Sequence, residues 1–279
     1  MTAGPRPPLR VDLLADRLGE DARGRAILAD LARVRVLTGA QLDALHFPGG
    51  GGDGQSAGLE SWSRVRRRVM DRLAELGAVV TLDRRIGGVR AGSAGNVYAL
   101  SVTGQRVLPV LGITSDRSRQ IRTPATPGER FLAHSLDVSA LYVALRVAER
   151  NRQVIVGDYL TEPACWFSAG YGGVLKPDSY THLRRHGADV ADSWWIEVDR
   201  ATTSLPTLHR KLLSYVDYAD TGGLGPAGVM PRVLVTTPHP RRREDVTELI
   251  RRLPHPADRL ITSVLHPDAV TELVRHLHT

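Results

Sequence analysis

Apolar residues recur at helical spacing through the first part of the chain. The clearest helix is predicted over 61–76, and its apolar stripe consists of Trp62, Val65, Val69, Leu73 and Leu76. Ser61 is expected to cap the start of this helix and Gly77 to end it. Earlier apolar positions predict a helix over 23–33 and a short helix after Thr38, which has the side chain of a good N-cap.

Two strand-like runs follow the third helix, at 79–82 and 96–100, and the tip between them is rich in glycine and arginine. Three helices followed by a basic hairpin are typical of a winged helix-turn-helix, whose third helix enters the major groove of DNA. We therefore predict a winged helix over 21–111. A disordered segment (1–20) is expected before it and a linker (112–128) after it.

The remaining residues, 129–279, predict a second domain in which helices alternate with short β-branched runs. Its core order is α-β-β-β-α-β, so the whole chain is expected to be an α+β protein of two domains. The predicted elements are a helix over 129–150, strand regions at 154–156, 173–180 and 193–198, a helix over 205–219, a strand at 232–236, and helices over 242–253 and 267–277 around a strand-like run at 261–265.

The positive charge of the chain lies in its first half. Residues 1–125 carry 19 arginines against 12 acidic side chains, whereas the rest has 18 basic and 18 acidic side chains. Such a one-sided excess is expected of a domain that meets a polyanion. A winged helix that binds only protein, or an arginine-rich solvated surface, is the alternative. The arginines predicted to contact DNA lie on the third helix and in the hairpin: Arg64, Arg67, Arg68, Arg72, Arg84, Arg85 and Arg90.

Three carboxylates flank the ends of two strands that are predicted to be neighbours. Asp178 precedes one strand, and Glu197 and Asp199 lie two residues apart at the end of another, where they share a face. If the strands are antiparallel, Asp178 approaches the same place. Converging carboxylate oxygens are ligands for a hard divalent ion, and such ions serve phosphodiester cleavage. An acidic pair held by an arginine is the alternative.

The order of elements in the second half resembles the core of the PD-(D/E)xK phosphodiesterase superfamily. Together with the winged helix, it makes the chain similar to the actinobacterial replication-relaxation proteins, over about residues 20–250. The segments that carry this resemblance are Leu175-Lys176-Pro177-Asp178, Trp195 to Thr202, and Lys211-Leu212-Leu213-Ser214-Tyr215.

The resemblance implies that Asp178 and Glu197 are the acidic residues of a nuclease site. The superfamily usually has a lysine two residues after the second acid, where this chain has Asp199. A relocated lysine is therefore expected, Lys211 first and Lys176 second. In this interpretation Asp178, Glu197 and Lys211 are catalytic, and Asp178, Glu197 and Asp199 hold Mg²⁺ or Mn²⁺. Loss of the usual lysine equally fits a non-catalytic DNA-binding regulator or assembly factor with a degenerate nuclease fold.

Other features of the sequence restrict the class of protein. Cys165 is the only cysteine, which excludes an internal disulfide and is typical of a reducing compartment. There is no GxxxxGK[ST] run, so no P-loop motor is expected. No signal peptide and no membrane helix of ~18 apolar residues are predicted. We therefore predict a cytoplasmic protein without membrane contact, whose partner is double-stranded DNA; a homodimer and other DNA-processing proteins stay open as further partners.

Overall fold

The structure is a computed structural model of mixed α+β class, with helices and several sheets. Contacts within the chain divide it into two units, Met1–Ser139 and Ala140–Thr279. Most of the expected linker lies outside the described residues. The structure describes residues 10–48, 56–85, 95–113, 128–170 and 173–277. For 56–61 and 83–85 it describes the backbone alone.

The first unit combines five helices with a three-stranded sheet in its described part. The strands pair antiparallel in the order β1-β3-β2, which places Leu37 opposite Tyr98 and Val80 opposite Ala99. The hairpin predicted from the two strand-like runs is therefore confirmed. The elements are α1 (Val11–Leu18), α2 (Ala22–Val34), β1 (Val36–Thr38), α3 (Gly39–His46), α4 (Ser56–Glu75), β2 (Val79–Arg85), β3 (Asn96–Leu100) and α5 (Val102–Val107).

Local sequence signals explain several of the helix ends in this unit. Thr38 accepts a hydrogen bond from the Gln41 amide, and the Gln41 side chain accepts one from the Thr38 amide, which makes a capping box. Gly77 follows α4 with φ of 72°, a conformation that glycine adopts at no steric cost. The predicted cap at Ser61 was wrong because α4 already begins at Ser56 and continues through Gly58, in spite of the low helix propensity of glycine.

Helix α1 lies inside the segment that was expected to be disordered. Leu14 and Leu18, one helical turn apart, are completely buried, and α1 packs on α5 and α2. The proline-rich composition that suggested disorder ends before Val11. The disorder prediction was therefore wrong for this helix, whereas residues 1–9 lie outside the described part of the chain.

A long helix, α6 (Glu129–Arg150), extends across the division between the units. In the first unit, its residues Leu132 and Leu136 pack with Val36 and Val97 of the small sheet. By length and composition this helix could cross a membrane, contrary to the sequence-based expectation, but 56% of its apolar window is buried within the protein. Such burial is that of a core helix.

The second unit is built on a five-stranded sheet of order β10-β9-β8-β7-β4, beside a separate β5-β6 hairpin. Its elements after α6 are β4 (Ile155–Thr161), β5 (Phe167–Gly170), β6 (Gly173–Leu175), β7 (Ser179–Arg184), β8 (Ala191–Val198), α7 (Leu205–Asp220), β9 (Arg232–Thr237), α8 (Pro240–Arg251), α9 (Ala257–Leu260), β10 (Ile261–Leu265) and α10 (Ala269–Arg275), with a short 3₁₀ helix, His266–Asp268, before α10.

The apolar run that forms β8 lies at the centre of this sheet, as its composition predicted. Trp194, Trp195 and Ile196 are completely buried. Strand β8 runs antiparallel to β7 and parallel to β9. The strand region predicted at 173–180 is instead two strands, β6 and β7, because Pro177 between them has no amide proton to donate to a ladder.

Helices α7 and α8 pack on the face of the sheet that carries Trp195. Their buried residues Leu212, Tyr215 and Val246 belong to one hydrophobic core with Trp195 and Val233. Side chains two residues apart in a strand share a face. Glu197, two positions after Trp195, therefore also points towards α7 and α8.

Candidate functional site

Asp178 and Glu197 lie side by side where β7 begins and β8 ends. The Asp178 amide donates to the Ile196 carbonyl oxygen at 3.0 Å. The Val198 amide in turn donates to Asp178 Oδ2 at 2.7 Å. Strand β8 therefore holds the Asp178 backbone and side chain on either side of Glu197, as the antiparallel pairing predicted.

Lys211 of α7 brings its ammonium group to both of these carboxylates. Its Nζ contacts Glu197 Oε2 directly and lies 3.6 Å from Asp178 Oδ1. The Lys211 side chain is 33% exposed, whereas Asp178 is 14% and Glu197 4% exposed. The three residues predicted to be catalytic thus form one cluster, the carboxylate–lysine cluster, and the lysine is its most accessible member.

Tyr215 completes the surroundings of Glu197 and was missed in the sequence analysis. Its hydroxyl donates to Glu197 Oε1 at 2.5 Å, and its ring lies 5.5 Å from that of Trp195. Lys211 and Tyr215 are four residues apart, so they project from the same side of α7. This spacing was the signal in the sequence that could have identified Tyr215.

Asp199 does not join the cluster, although it was expected to be a metal ligand. Its Oδ2 accepts a hydrogen bond from Arg242 Nε at 2.5 Å, and Arg242 also donates to the Thr203 carbonyl oxygen. Both side chains are buried. Among the described residues, no group of three or more His, Cys, Asp or Glu side chains could hold a metal ion. The expected three-carboxylate arrangement is therefore not formed, and Asp178 and Glu197 stand as a pair.

The buried position of the cluster sets the protonation of its members. Burial raises the pKa of Glu197 to about 7, although the Lys211 charge opposes that rise. For Lys211, burial lowers the pKa, but the charges of Glu197 and Asp178 outweigh it and the net shift is upward. Burial and the Glu197 charge raise the pKa of Tyr215 well above its usual value. At neutral pH, Lys211 is therefore a cation and Tyr215 a hydrogen-bond donor.

Cys165 lies close to the cluster but has no nucleophilic character. It is buried, and its Sγ donates to the Pro177 carbonyl oxygen at 3.0 Å. Burial, followed by the charge of Asp178, raises the pKa of this thiol to about 12. A thiol of that pKa stays protonated at neutral pH and is inert.

The arginines predicted on the third helix all lie on the exposed side of α4. They line an open groove of about 510 Å³ together with Asp71 and Glu75. Arg66, on the opposite side, is only 1% exposed, pairs with Asp43 and donates to the Gly39 carbonyl oxygen at 3.0 Å. The four predicted arginines are therefore exposed, whereas the burial of Arg66 was not predicted. The exposed set is Arg64, Arg67, Arg68 and Arg72.

The seven predicted arginines differ in their surroundings, and the structure describes the side chains of the four on α4 alone. Arg72 lies 3.3 Å from Asp21, so part of its charge is already compensated. Arg67 and Arg68 have no ion-pair partner within the described ranges. For Arg84 and Arg85, the structure describes the backbone in β2 but not the side chains. Arg90 lies outside the described residues.

A comparison with models of known protein families assigns the chain to a family. The family model for replication-relaxation matches residues 28–233, which is more than half of the chain. The chain therefore belongs to the replication-relaxation family, as the resemblance predicted. The match includes α4 and the whole carboxylate–lysine cluster. No curated protein and no solved structure matches the chain.

Proposed function

We propose that this chain is a DNA-binding protein of plasmid or mobile-element replication or relaxation, and that its second unit nicks DNA with the help of Mg²⁺ or Mn²⁺. The observation that carries the proposal is the single ammonium group of Lys211 in contact with both Asp178 and Glu197. Two acids and a lysine are the groups a PD-(D/E)xK site uses. Here the lysine comes from α7, and the usual position holds Asp199.

The second unit also has the element order expected of such a site. Helix α6, strands β4, β7 and β8, helix α7 and strand β9 follow each other as α-β-β-β-α-β, with the β5-β6 hairpin inserted after β4. The two acids lie at the adjoining ends of β7 and β8. This order and the position of the two acids support the proposal of a PD-(D/E)xK-like site.

The donor set of the cluster fits a hard divalent cation. Asp178 Oδ1 and Glu197 Oε2 already face one positive charge, that of Lys211, and carboxylate oxygens with water are what Mg²⁺ accepts. A bound ion would neutralise phosphate charge and acidify a water molecule. Tyr215 fixes the orientation of Glu197, and the accessible Lys211 can meet negative charge that develops on the phosphate.

DNA binding is assigned to the first unit. Helices α2, α3 and α4, followed by the β2-β3 hairpin, have the order of a winged helix-turn-helix, which would place α4 in the major groove of double-stranded DNA. The exposed guanidinium groups of Arg67 and Arg68 suit phosphate oxygens and guanine edges. The positive charge of this half of the chain supports the same assignment.

Nicking of supercoiled plasmid by the purified full chain tests the proposal. With Mg²⁺ or Mn²⁺, we expect open circular product from the wild type and none from Asp178→Ala or Glu197→Ala. Asp217→Ala is the matched control, because Asp217 is an exposed carboxylate on α7 and its loss leaves the cluster intact. Intact plasmid with the wild type, across both metals and several plasmid sequences, contradicts the proposal.

A second candidate is a DNA-binding regulator or assembly factor without turnover. The observation that favours it is Asp199, which replaces the usual lysine and is neutralised by Arg242. In that case Asp178→Ala leaves DNA binding and biological activity unchanged, and only the α4 arginines matter. A gel-shift titration of Asp178→Ala beside the nicking assay separates the two candidates.

A further inference from the structure

Trp166 and Lys176 form an exposed aromatic–cation pair in the second unit. The Lys176 ammonium lies 4.9 Å from the centroid of the Trp166 ring, and Trp166 is 41% exposed. By contrast, Trp194 and Trp195 are completely buried. Trp166 therefore presents an indole to solvent, with a positive charge over its ring.

This pair is fixed to the backbone that carries Asp178. Lys176 lies two residues before Asp178 in the chain. On the other side, Cys165 directly precedes Trp166 and donates its Sγ to the Pro177 carbonyl oxygen. Phe167, the next residue, packs against Trp195 with ring centroids 6.0 Å apart. The pair thus stands on an anchored segment next to the carboxylate–lysine cluster.

We infer that the Trp166–Lys176 pair binds one unpaired nucleotide of the DNA strand that enters the cluster. The base stacks on the indole, and Lys176 moves from the ring to the adjacent phosphate. This inference rests on the proposed function for its choice of DNA as the ligand. It adds the substrate class, which is single-stranded or locally opened DNA.

The requirement for an unpaired base follows from the geometry of stacking. Inside a duplex, both faces of a base are covered by its neighbours, so an indole can stack only on a base that has left the helix. Stacking of bases on aromatic side chains tolerates any sequence and is reinforced by a neighbouring cation. Lys176, two residues before Asp178, supplies the cation, and Trp166 beside it supplies the ring.

Tryptophan fluorescence of the full chain tests the inference directly. In a Trp62→Phe background, Trp166 is the exposed tryptophan among the remaining three, since Trp194 and Trp195 are buried. A thymidine oligonucleotide, added in EDTA, is expected to quench its emission and protect it from acrylamide. A relaxed closed-circular plasmid at the same nucleotide concentration has no unpaired bases or ends and is expected to do neither.

Affinity measurements with variants provide the second readout. Trp166→Ala is expected to weaken binding of the oligonucleotide by on the order of tenfold and to leave binding of the plasmid unchanged. Trp166→Phe, which keeps a ring, retains more affinity than Trp166→Ala. Lys176→Gln lowers the salt dependence by about one phosphate contact. Val174→Ala is the control, because Val174 is an exposed residue of the β5-β6 hairpin, which lies between Trp166 and Lys176 in the chain.

Three results overturn the inference: no quenching, equal loss of affinity in the Ala and Phe variants, or equal loss for oligonucleotide and plasmid. The pair is then a surface cation–π contact only. Because these measurements need no metal and no cleavage, they are independent of the nicking assay. Quenching without nicking supports this inference and counts against the nuclease, whereas nicking without quenching does the reverse.

Discussion

The hydroxyl of Tyr215 donates a hydrogen bond of 2.5 Å to Oε1 of Glu197. Both side chains are buried, and the raised pKa of Tyr215 keeps the hydroxyl protonated. One carboxylate oxygen is thereby held by Tyr215, and the other faces Lys211. Tyr215 is therefore a positioning residue, because it fixes how Glu197 meets any cation.

Replacement of Tyr215 by Phe is expected to lower the free energy of unfolding by about 1.5–3 kcal/mol, because a buried oxygen of Glu197 loses its donor. Urea unfolding measures this change. Tyr218→Phe is the matched control on the same helix, since its hydroxyl donates to the Leu224 carbonyl oxygen in an exposed setting. An equal loss in the two variants contradicts a special role for the Tyr215 hydrogen bond.

The Asp178–Glu197 pair was predictable because it depends on local rules. Pro177 interrupts one strand, Glu197 ends another, and the antiparallel pairing of neighbouring strands brings the two acids together. The position of Lys211 followed from the family resemblance. Tyr215 required only the further step of helical spacing from Lys211.

Two other features were not predictable because they depend on tertiary packing. Asp199 and Arg242 are 43 positions apart, and only the packing of α8 on the sheet brings them together. Periodicity had shown that Glu197 and Asp199 share a face, but not that different helices would reach each of them. Helix α1 was missed because its stability comes from burying Leu14 and Leu18, not from its composition.

Removal of the Lys211 charge is expected to make the cluster sensitive to divalent ions. In Lys211→Met, the charge that lowers the Glu197 pKa is lost, so that pKa rises further and Glu197 takes up a proton at neutral pH unless another cation replaces the ammonium group. Mg²⁺ is then expected to raise the thermal midpoint of Lys211→Met more than that of the wild type, at constant ionic strength. Adding Asp178→Asn to Lys211→Met removes one carboxylate and the extra Mg²⁺ effect. Identical Mg²⁺ shifts in all three proteins contradict a cation site at this pair.

The raised pKa of Glu197 gives a pH dependence of stability with a definite sign. Between its ordinary value of 4.5 and about 7, the folded state keeps a proton that the unfolded state loses. The free energy of unfolding therefore falls as pH rises through this window, by up to about 1.4 kcal/mol per pH unit. Urea unfolding in EDTA at several pH values is expected to show this slope in the wild type and a smaller one in Glu197→Gln. The same slope in both proteins assigns it to other groups.

The exposed arginines of α4 are expected to act through phosphate contacts. Arg67→Ala or Arg68→Ala weakens binding to duplex DNA, and each lost contact reduces the magnitude of the negative salt slope, d log K/d log[salt], by about 0.9. Fluorescence anisotropy at several salt concentrations measures both quantities. Arg17→Ala, which removes an exposed arginine from α1, is the matched control. An unaltered salt slope in the α4 variants removes these arginines from the interface.

The buried pair of Asp199 and Arg242 is expected to stabilise the fold and to take no part in metal binding. Arg242→Met leaves Asp199 charged and unpaired below the protein surface, which costs about 3–5 kcal/mol of the free energy of unfolding. Asp199→Asn in the same background removes that charge and restores part of the stability. A double-mutant cycle in urea measures the coupling between the two residues.

If the Mg²⁺ response described for Lys211→Met disappears when Asp199→Asn is added, Asp199 does contribute to the cation site; if it persists, the cation meets Asp178 and Glu197 alone.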